Sequence, residues 1–381
     1  MQVDKNYIIN VRRELHKVPE IGFDLEKTQA IIRRELDAIG LPYTEKYGKS
    51  AIIATLNEGK GNKTIAIRAD VDALPIQEET GLEFASTHPG KMHACGHDCH
   101  AAMLLGTAKA LKAMENEISC CVKFIFQAAE ETGGGAQSIC DDGFMDQVDN
   151  IIACHIDPTS PAGTMLLNKG CSKASSHGFT IDLYGKSCHV ARPHHGIDTI
   201  AMANRVYTDI QIMRAREINP LERTVVGIGT FHGGTAINIV CDHVTLGGTI
   251  RCQNDAIDAH IFRRIEEIAN AVAKDMGGSA KVTSSKFYPA LRNDHPTADA
   301  VIQAAEKIIS KENIMEGPES MGAEDFSYYT LYKPGAMFNL GVAPKDKPIV
   351  SLHNGKMIVE EDALDVAPKI FIQYVLDQMD K

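Results

Sequence analysis

Residues 93–100 place thiol, imidazole and carboxylate groups within eight positions, reading His-Ala-Cys-Gly-His-Asp-Cys-His. Farther along the chain, Glu130 and Glu131 end one apolar run, and His155 ends another. A divalent metal ion that activates water needs imidazole, thiolate or carboxylate ligands together with one open coordination position. These residue types therefore predict a hydrolase built around a metal centre.

Cys95, His97, Glu131 and His155 are the ligands that we predict from the pattern. The first two lie on a glycine-containing loop before a helix, and the other two at strand ends. Each residue alone could be a packing residue, and a structural zinc site is an alternative for the whole segment. Cys95 and Cys99, however, lack the two-residue gap of a zinc knuckle and have no second pair nearby.

One carboxylate of the pair Glu130 and Glu131 is predicted to be the general base. One backbone step turns neighbouring side chains apart, so one can bind metal while the other faces the attacking water. The alternative for this pair is a solvated acidic turn, but the apolar strand before it and the glycines after it favour a buried position. The remaining polar residues of the segment are expected partly to orient the ligands through hydrogen bonds: His93, Asp98, Cys99 and His100.

Hydrophobic patterning up to about residue 175 predicts an α/β fold with a largely parallel sheet and helices on both faces. Helices are predicted at 25–39 and 101–114, and strands at 51–56, 64–69, 122–128 and 150–154. Ligands in such sheets bind beyond the carboxyl ends of strands. The residues predicted to lie at these ends are Asp70, Asp72, Glu130, Glu131 and His155.

From about residue 176 the pattern changes to β-α-β-β-α-β, which is typical of a ferredoxin-like unit. The predicted strands are 177–183, 224–230, 243–251 and 280–287, with helices at 197–214 and 256–274. We interpret this unit as a lid domain inserted into a catalytic domain. The predicted boundaries are 1–175 and 289–381 for the catalytic domain and 176–288 for the lid.

Length and composition favour a two-domain globular protein with a small-molecule substrate. The chain has 381 residues, 44% of them hydrophobic, and a formal net charge of -11. No run approaches the roughly 18 apolar residues of a membrane span, and no basic cluster suggests a nucleic-acid or anionic-membrane partner. The first residues lack an apolar signal core, so we expect a cytoplasmic protein whose ten cysteines are reduced.

Short motifs along nearly the whole chain resemble the two-metal aminoacylase and carboxypeptidase family. The resemblance is closest to its N-acyl-amino-acid amidohydrolases, the subgroup that includes hippurate hydrolases and auxin-conjugate hydrolases. The motifs are Arg-Arg-Glu-Leu-His at 12–16, Pro-Glu at 19–20, Ile-Arg-Ala-Asp-Val-Asp-Ala-Leu-Pro at 67–75, residues 92–100, Gln-Ala-Ala-Glu-Glu at 127–131, His155, Gly-Lys-Ser-Cys-His at 185–189, Gly-Thr-Ile-Arg at 248–251, Gly-Ala-Glu-Asp-Phe at 322–326 and Leu-His at 352–353.

The resemblance implies two divalent metal ions per subunit, with zinc, manganese, cobalt or nickel as the candidates. The implied ligands are Cys95, His97, Glu131, His155 and His353. It also implies that Glu130 is the general base, that Asp72 orients the site, and that the chain forms a homodimer through the lid. The lid residues implied to hold the substrate carboxylate or the oxyanion are His189, which is also implied in catalysis, Asn238 and Arg251.

Three positions depart from the usual motifs of the family. Ala128 and Cys241 replace prolines, and Cys188 replaces the glycine before the lid histidine. These changes leave every metal position intact and concern the shape of the substrate site near the lid. The predicted activity is metal-dependent hydrolysis of the amide bond of N-acyl amino acids. The alternatives are a dipeptidase or carboxypeptidase with the same machinery, and a non-catalytic binding protein of the same fold.

Overall fold

In the computed structural model, which describes residues 2–317 and 320–379, the chain divides into two units. The first unit comprises the described residues of 2–172, 292–317 and 325–379. The second comprises 173–291 and 320–324. Chain segments on both sides of the second unit therefore build the first.

Helices and strands alternate through most of the chain. The described α-helices are α1 (Lys5–His16), α2 (Glu26–Ile39), α3 (His97–Ala113), α4 (Gly135–Asp141), α5 (Thr199–Arg216), α6 (Asp255–Asp275), α7 (His295–Ala305), α8 (Ser327–Tyr332) and α9 (Val366–Gln378). The described strands are β1 (Tyr43–Thr44), β2 (Ile52–Leu56), β3 (Thr64–Asp70), β4 (Cys121–Gln127), β5 (Asn150–Pro161), β6 (Met165–Leu166), β7 (Gly170–Lys173), β8 (Ser176–Tyr184), β9 (Cys188–His189), β10 (Thr224–Gly233), β11 (Ile239–Val240), β12 (His243–Cys252), β13 (Ser279–Tyr288), β14 (Leu291–Asn293), β15 (Ile314–Met315) and β16 (Gly335–Ala343).

A central sheet with the order β1-β2-β4-β3-β5-β16-β6-β15 forms the first unit. Its middle strands β4, β3, β5 and β16 run parallel to one another, whereas β2 pairs antiparallel with β4 and β6 antiparallel with β16. Every residue of β4 is buried, and so is all of β3 after its first residue. Such continuous burial is typical of a parallel sheet covered on both faces. The predicted α/β class with a largely parallel sheet is confirmed.

Helix α3 packs against β3, β4 and β5 and also contacts α1, α2 and α9. Its buried face contains Leu104, Leu105, Ala108 and Leu111, the side chains that the periodicity assigns to one face. None of the helices within 2–317 and 320–379 has the length and apolar character needed to cross a membrane.

Two predicted element boundaries near the candidate ligands are wrong. Helix α3 begins at His97 instead of residue 101, because Gly96 adopts a left-handed φ of 85° and its carbonyl accepts the N–H of His100. Strand β5 continues to Pro161, so His155 lies within the strand and not at its end. The strand is longer because β16 pairs with it beyond this point, with Asn339 opposite His155.

The second unit has a four-stranded antiparallel sheet with the order β10-β12-β8-β13. Along the chain its main elements follow as β8, α5, β10, β12, α6 and β13. Burial alternates along β8, which shows that one face of this sheet is covered. Helices α5 and α6 pack on the sheet and on each other, and the unit has its own apolar core.

Candidate metal centre

Five side chains of the first unit form two donor groups that share Cys95. In one group, donor atoms of Cys95, His97 and His155 lie within 4.8 Å of one another. In the other, donor atoms of Cys95, Glu131 and His353 do so. The Cys95 Sγ lies 3.4 Å from the His155 Nε2, and the His353 Nε2 lies 3.2 Å from the Glu131 Oε1. The structure thus brings together all five residues, with Cys95 common to both groups.

Different elements present these donors. His97 is the first residue of α3 and His155 belongs to β5, while Glu131 lies in the turn after β4. His353 lies in a loop with a left-handed φ of 60°, which is uncommon for a residue other than glycine. Its backbone N–H donates to the Ala94 carbonyl at 2.8 Å, which fixes the loop beside Cys95.

The buried Asp72 carboxylate holds the turn that carries Glu130 and Glu131. Its Oδ1 accepts the Glu130 N–H at 3.0 Å and its Oδ2 accepts the Glu131 N–H at 3.1 Å. Oxygens of both glutamates lie within 4.8 Å of each other and of a His97 nitrogen. The expectation that the two carboxylates point apart is therefore wrong. The left-handed Ala129, with a φ of 56°, ends the alternation of the strand.

Hydrogen bonds determine which nitrogen of each imidazole is available to bind metal. The His155 Nδ1 donates to the Ile156 carbonyl at 2.7 Å, which leaves Nε2 facing Cys95. Both nitrogens of His100 are occupied, since Nδ1 donates to Asp70 and Nε2 accepts the Ile156 N–H at 2.9 Å. His100 therefore orients its neighbours instead of binding metal. The His97 Nδ1 lies 3.4 Å from the Asp72 Oδ1, and its Nε2 lies 3.6 Å from the Asp70 Oδ2.

The electrostatics of the cluster suit a divalent cation. Burial opposes ionisation of Asp70, yet Arg68 and His97 hold its pKa well below the ordinary value. Burial likewise opposes ionisation of Glu131, whose pKa is lowered through its hydrogen bond with His353. Burial raises the pKa of the Cys95 thiol, which a bound metal ion would ionise. This mixed donor set fits zinc and also manganese, cobalt or nickel.

Asp98, another polar residue of 93–100, contacts helix α1. Asp98 Oδ2 lies 2.7 Å from the Arg12 Nε and 2.8 Å from the His16 Nδ1, both on α1. Burial opposes its ionisation, but these two groups lower the pKa of Asp98. Burial also lowers the pKa of His93 to about 3. Asp98 thus anchors α3 to α1, a contact that the sequence pattern did not reveal.

The second unit contains the three predicted substrate residues. His189 belongs to β9 and Asn238 directly precedes β11, and both are exposed. The Val190 N–H donates to the Asn238 carbonyl at 3.0 Å. Arg251 lies on β12 of the four-stranded sheet and is half-buried, and burial lowers its pKa. Within the part of the chain that the structure describes, no side-chain hydrogen bond or ion pair engages its guanidinium.

A largely parallel α/β sheet that carries a cluster of thiol, imidazole and carboxylate donors fits a metal-binding hydrolase. Residues 66–377 match the profile of Peptidase family M20/M25/M40, and the chain belongs to this family.

Three relatives illustrate the similarity. The chain is 35% identical over 373 residues to an N-acetyldiaminopimelate deacetylase of Halalkalibacterium halodurans, covering 97% of this chain and 98% of that one. It is 34% identical over 364 residues to IAA-amino acid hydrolase ILR1-like 4 of Arabidopsis thaliana, covering 94% and 82%. The solved structure of the Bacillus subtilis YXEP protein, a dinuclear metal binding peptidase of the M20 family, superimposes with a TM-score of 0.85 at 31% identity, covering 98% of each chain. The chain is accordingly a hydrolase.

Proposed function

We propose that the protein hydrolyses the amide bond of N-acyl amino acids in a metal-dependent reaction, releasing a carboxylic acid and a free amino acid. The observation that carries the proposal is the turn that the Asp72 carboxylate holds, in which Glu130 and Glu131 lie side by side next to His97. One glutamate can thus bind metal while the other moves protons. The names of the deacetylase and amino acid hydrolase relatives support this substrate class.

Cys95, His97, Glu131, His155 and His353 would hold two divalent metal ions. When bound, such ions polarise the substrate carbonyl and make water more acidic. Glu130 takes a proton from the attacking water on its carboxylate and returns it to the leaving nitrogen. The Asp325 N–H donates to the Glu130 Oε1 at 3.4 Å, which helps to orient the carboxylate.

Residues of the second unit would hold the substrate. Arg251 offers a half-buried guanidinium that suits the carboxylate of an amino acid. His189 and Asn238 carry exposed donors that could hold a carboxylate or stabilise the oxyanion of the tetrahedral intermediate. Arg251→Lys is expected to raise KM more than it lowers kcat, since the guanidinium binds substrate and transition state alike.

The test is release of free amine from N-acetyl and N-benzoyl amino acids by metal-stripped protein resupplied separately with zinc, manganese, cobalt and nickel. Glu130→Gln should retain metal and lose turnover, while Glu117→Gln, an exposed glutamate, should keep both. Near-native turnover by Glu130→Gln would disprove its role as general base.

A dipeptidase or carboxypeptidase is the second candidate, because the similar Bacillus subtilis structure is named a peptidase. Both reactions break an amide next to an amino acid and would use the same metal centre. Dipeptides assayed at the same concentration as the N-acyl amino acids distinguish the two. A higher kcat/KM for dipeptides across the panel would replace our main proposal.

We also propose a cytoplasmic homodimer formed through the second unit. No disulfide joins the cysteines of the described residues, in keeping with a reducing compartment. Most of the large exposed apolar side chains belong to this unit, among them Val190, Phe231 and Ile237, and such surfaces often mark interfaces. A monomer mass at micromolar concentration, measured by light scattering, would contradict the dimer.

A further inference from the structure

Arg68 is a buried cation at the centre of a hydrogen-bonded network in the first unit. Its side chain is 1% exposed, and its guanidinium donates in three directions. Nε donates to the Gln127 Oε1 at 2.8 Å, Nη1 to the Asp70 Oδ2 at 2.8 Å and Nη2 to the Asp325 Oδ1 at 2.6 Å. A buried charge with this many directed bonds is stable only while its partners are in place.

One arm of the network leads from Arg68 to a candidate metal ligand. Asp70, fixed by the guanidinium, accepts a hydrogen bond from the His100 Nδ1. The His100 Nε2 accepts the Ile156 N–H, and the carbonyl of Ile156 accepts the His155 Nδ1–H. Asp70 places the proton of His100 on Nδ1, so Nε2 can accept the Ile156 N–H and hold that backbone in place. The Ile156 carbonyl then selects the His155 tautomer that presents Nε2 and orients its ring.

The other arm leads from Arg68 to Glu130. Asp325 is held by Arg68 at Oδ1, while its Oδ2 accepts the Gln127 side-chain amide at 2.7 Å and the Ala136 N–H at 3.1 Å. Gln127 is itself fixed by the Tyr329 hydroxyl at 3.0 Å. With its carboxylate held by these three groups, Asp325 directs its own N–H toward the Glu130 Oε1.

We propose that Arg68 is a positioning residue for both halves of the site: through Asp70 and His100 it orients His155, and through Asp325 it orients Glu130. The guanidinium is suited to this task because its planar fork reaches three partners, whereas a lysine ammonium cannot match that geometry. The path through Asp325, which we call the Glu130 arm, rests on the proposed function. The path through Asp70 and His100, which we call the His155 arm, concerns metal binding alone.

The first experiment measures zinc affinity by competition with a chelating dye, without substrate. Arg68→Lys and His100→Gln should each weaken zinc binding by about 10-fold to 100-fold, the usual effect of removing a group that orients a ligand. Arg33→Lys is the matched control, since Arg33 pairs with Glu45 on the surface, and should bind zinc with native affinity. Native affinity in both test variants would overturn the His155 arm.

The second experiment measures kcat and KM at saturating zinc with whichever substrate the native enzyme hydrolyses fastest. Asp325→Asn keeps the size of the side chain but loses an acceptor, so kcat should fall by about 100-fold with KM and zinc affinity nearly unchanged. A merely structural role would lower the melting temperature and leave kcat native at temperatures where the variant is folded. That result would overturn the Glu130 arm.

His100→Gln and Asp325→Asn keep the inference testable if Arg68→Lys fails to fold. His100→Gln then decides the His155 arm and Asp325→Asn the Glu130 arm. Should the native protein hydrolyse no compound of the panel, the proposed function fails and the Glu130 arm falls with it. The zinc titrations still decide the His155 arm in that case.

Discussion

At the scale of single residues, Asp72 is the group whose loss should most directly disorder the candidate site. Its two oxygens accept the N–H groups of Glu130 and Glu131. Asp72→Asn would turn an NH2 group toward one of these donors and leave it unpaired, at a cost of about 1–3 kcal/mol. We expect a clear fall in kcat at saturating zinc and a lower unfolding free energy in urea. Asp37→Asn, on the exposed face of α2, should change neither quantity.

Gly135 should tolerate no side chain, because a Cβ there would lie 1.8 Å from the Ala128 carbonyl oxygen. Gly135→Ala must displace the backbone behind the Glu130 turn, and we expect it to destabilise the protein by about 1–3 kcal/mol. Gly227→Ala is the control, since a Cβ at that position meets no atom within 4 Å. Chemical denaturation of both variants measures the difference, and equal unfolding free energies would contradict the close contact.

Residue types alone predicted four of the five donors that the structure brings together, because thiol and imidazole groups cluster at 93–100 and because Glu131 and His155 each follow an apolar run. His353 followed only from the family resemblance, since it lies in an irregular loop without a periodic pattern. The convergence of Glu130 and Glu131 depends on the left-handed Ala129, which no hydrophobic pattern encodes. Arg68 was missed because the sequence places it within an ordinary strand.

At the scale of elements, the errors concern where helices and strands begin and end. The local pattern shows that α3 and β5 exist, but their limits depend on other parts of the chain. Helix α3 starts early because Gly96 can adopt a left-handed conformation, and β5 is long because β16 pairs with it. β16 lies far away in sequence, so a local reading cannot include this effect.

The start of helix α5 depends on one capping side chain. Asp198 accepts the N–H groups of Ile200 and Ala201, which would otherwise lack intrahelical partners. Asp198→Ala should destabilise the second unit by about 1 kcal/mol. Asp198→Asn keeps an oxygen acceptor and should remain close to native. Thermal unfolding of the two variants gives the comparison, and equal losses would show that the cap is not the cause.

At the scale of the whole molecule, the change from an α/β pattern to β-α-β-β-α-β corresponds to a change of folding unit. Each unit has its own apolar core. The periodicity of single helices and strands predicts which side chains are buried, but not which of the two cores they join. All five predicted metal ligands belong to the first unit. Metal binding should therefore stabilise that unit and leave the second unchanged.

Removing the metal tests whether it stabilises only the first unit. A ligand that binds only the folded state at 100 times its Kd stabilises that state by about 2.7 kcal/mol. Calorimetry should show one unfolding transition whose midpoint temperature falls when a chelator removes the metal. Adding zinc should restore that temperature. Asp198→Ala identifies the transition of the second unit, because α5 belongs to it. One contrary result is that chelation lowers the midpoint temperature of the transition that Asp198→Ala also lowers, and another is that the protein unfolds in a single transition that both changes shift. Either result would show that the metal does not stabilise the first unit alone.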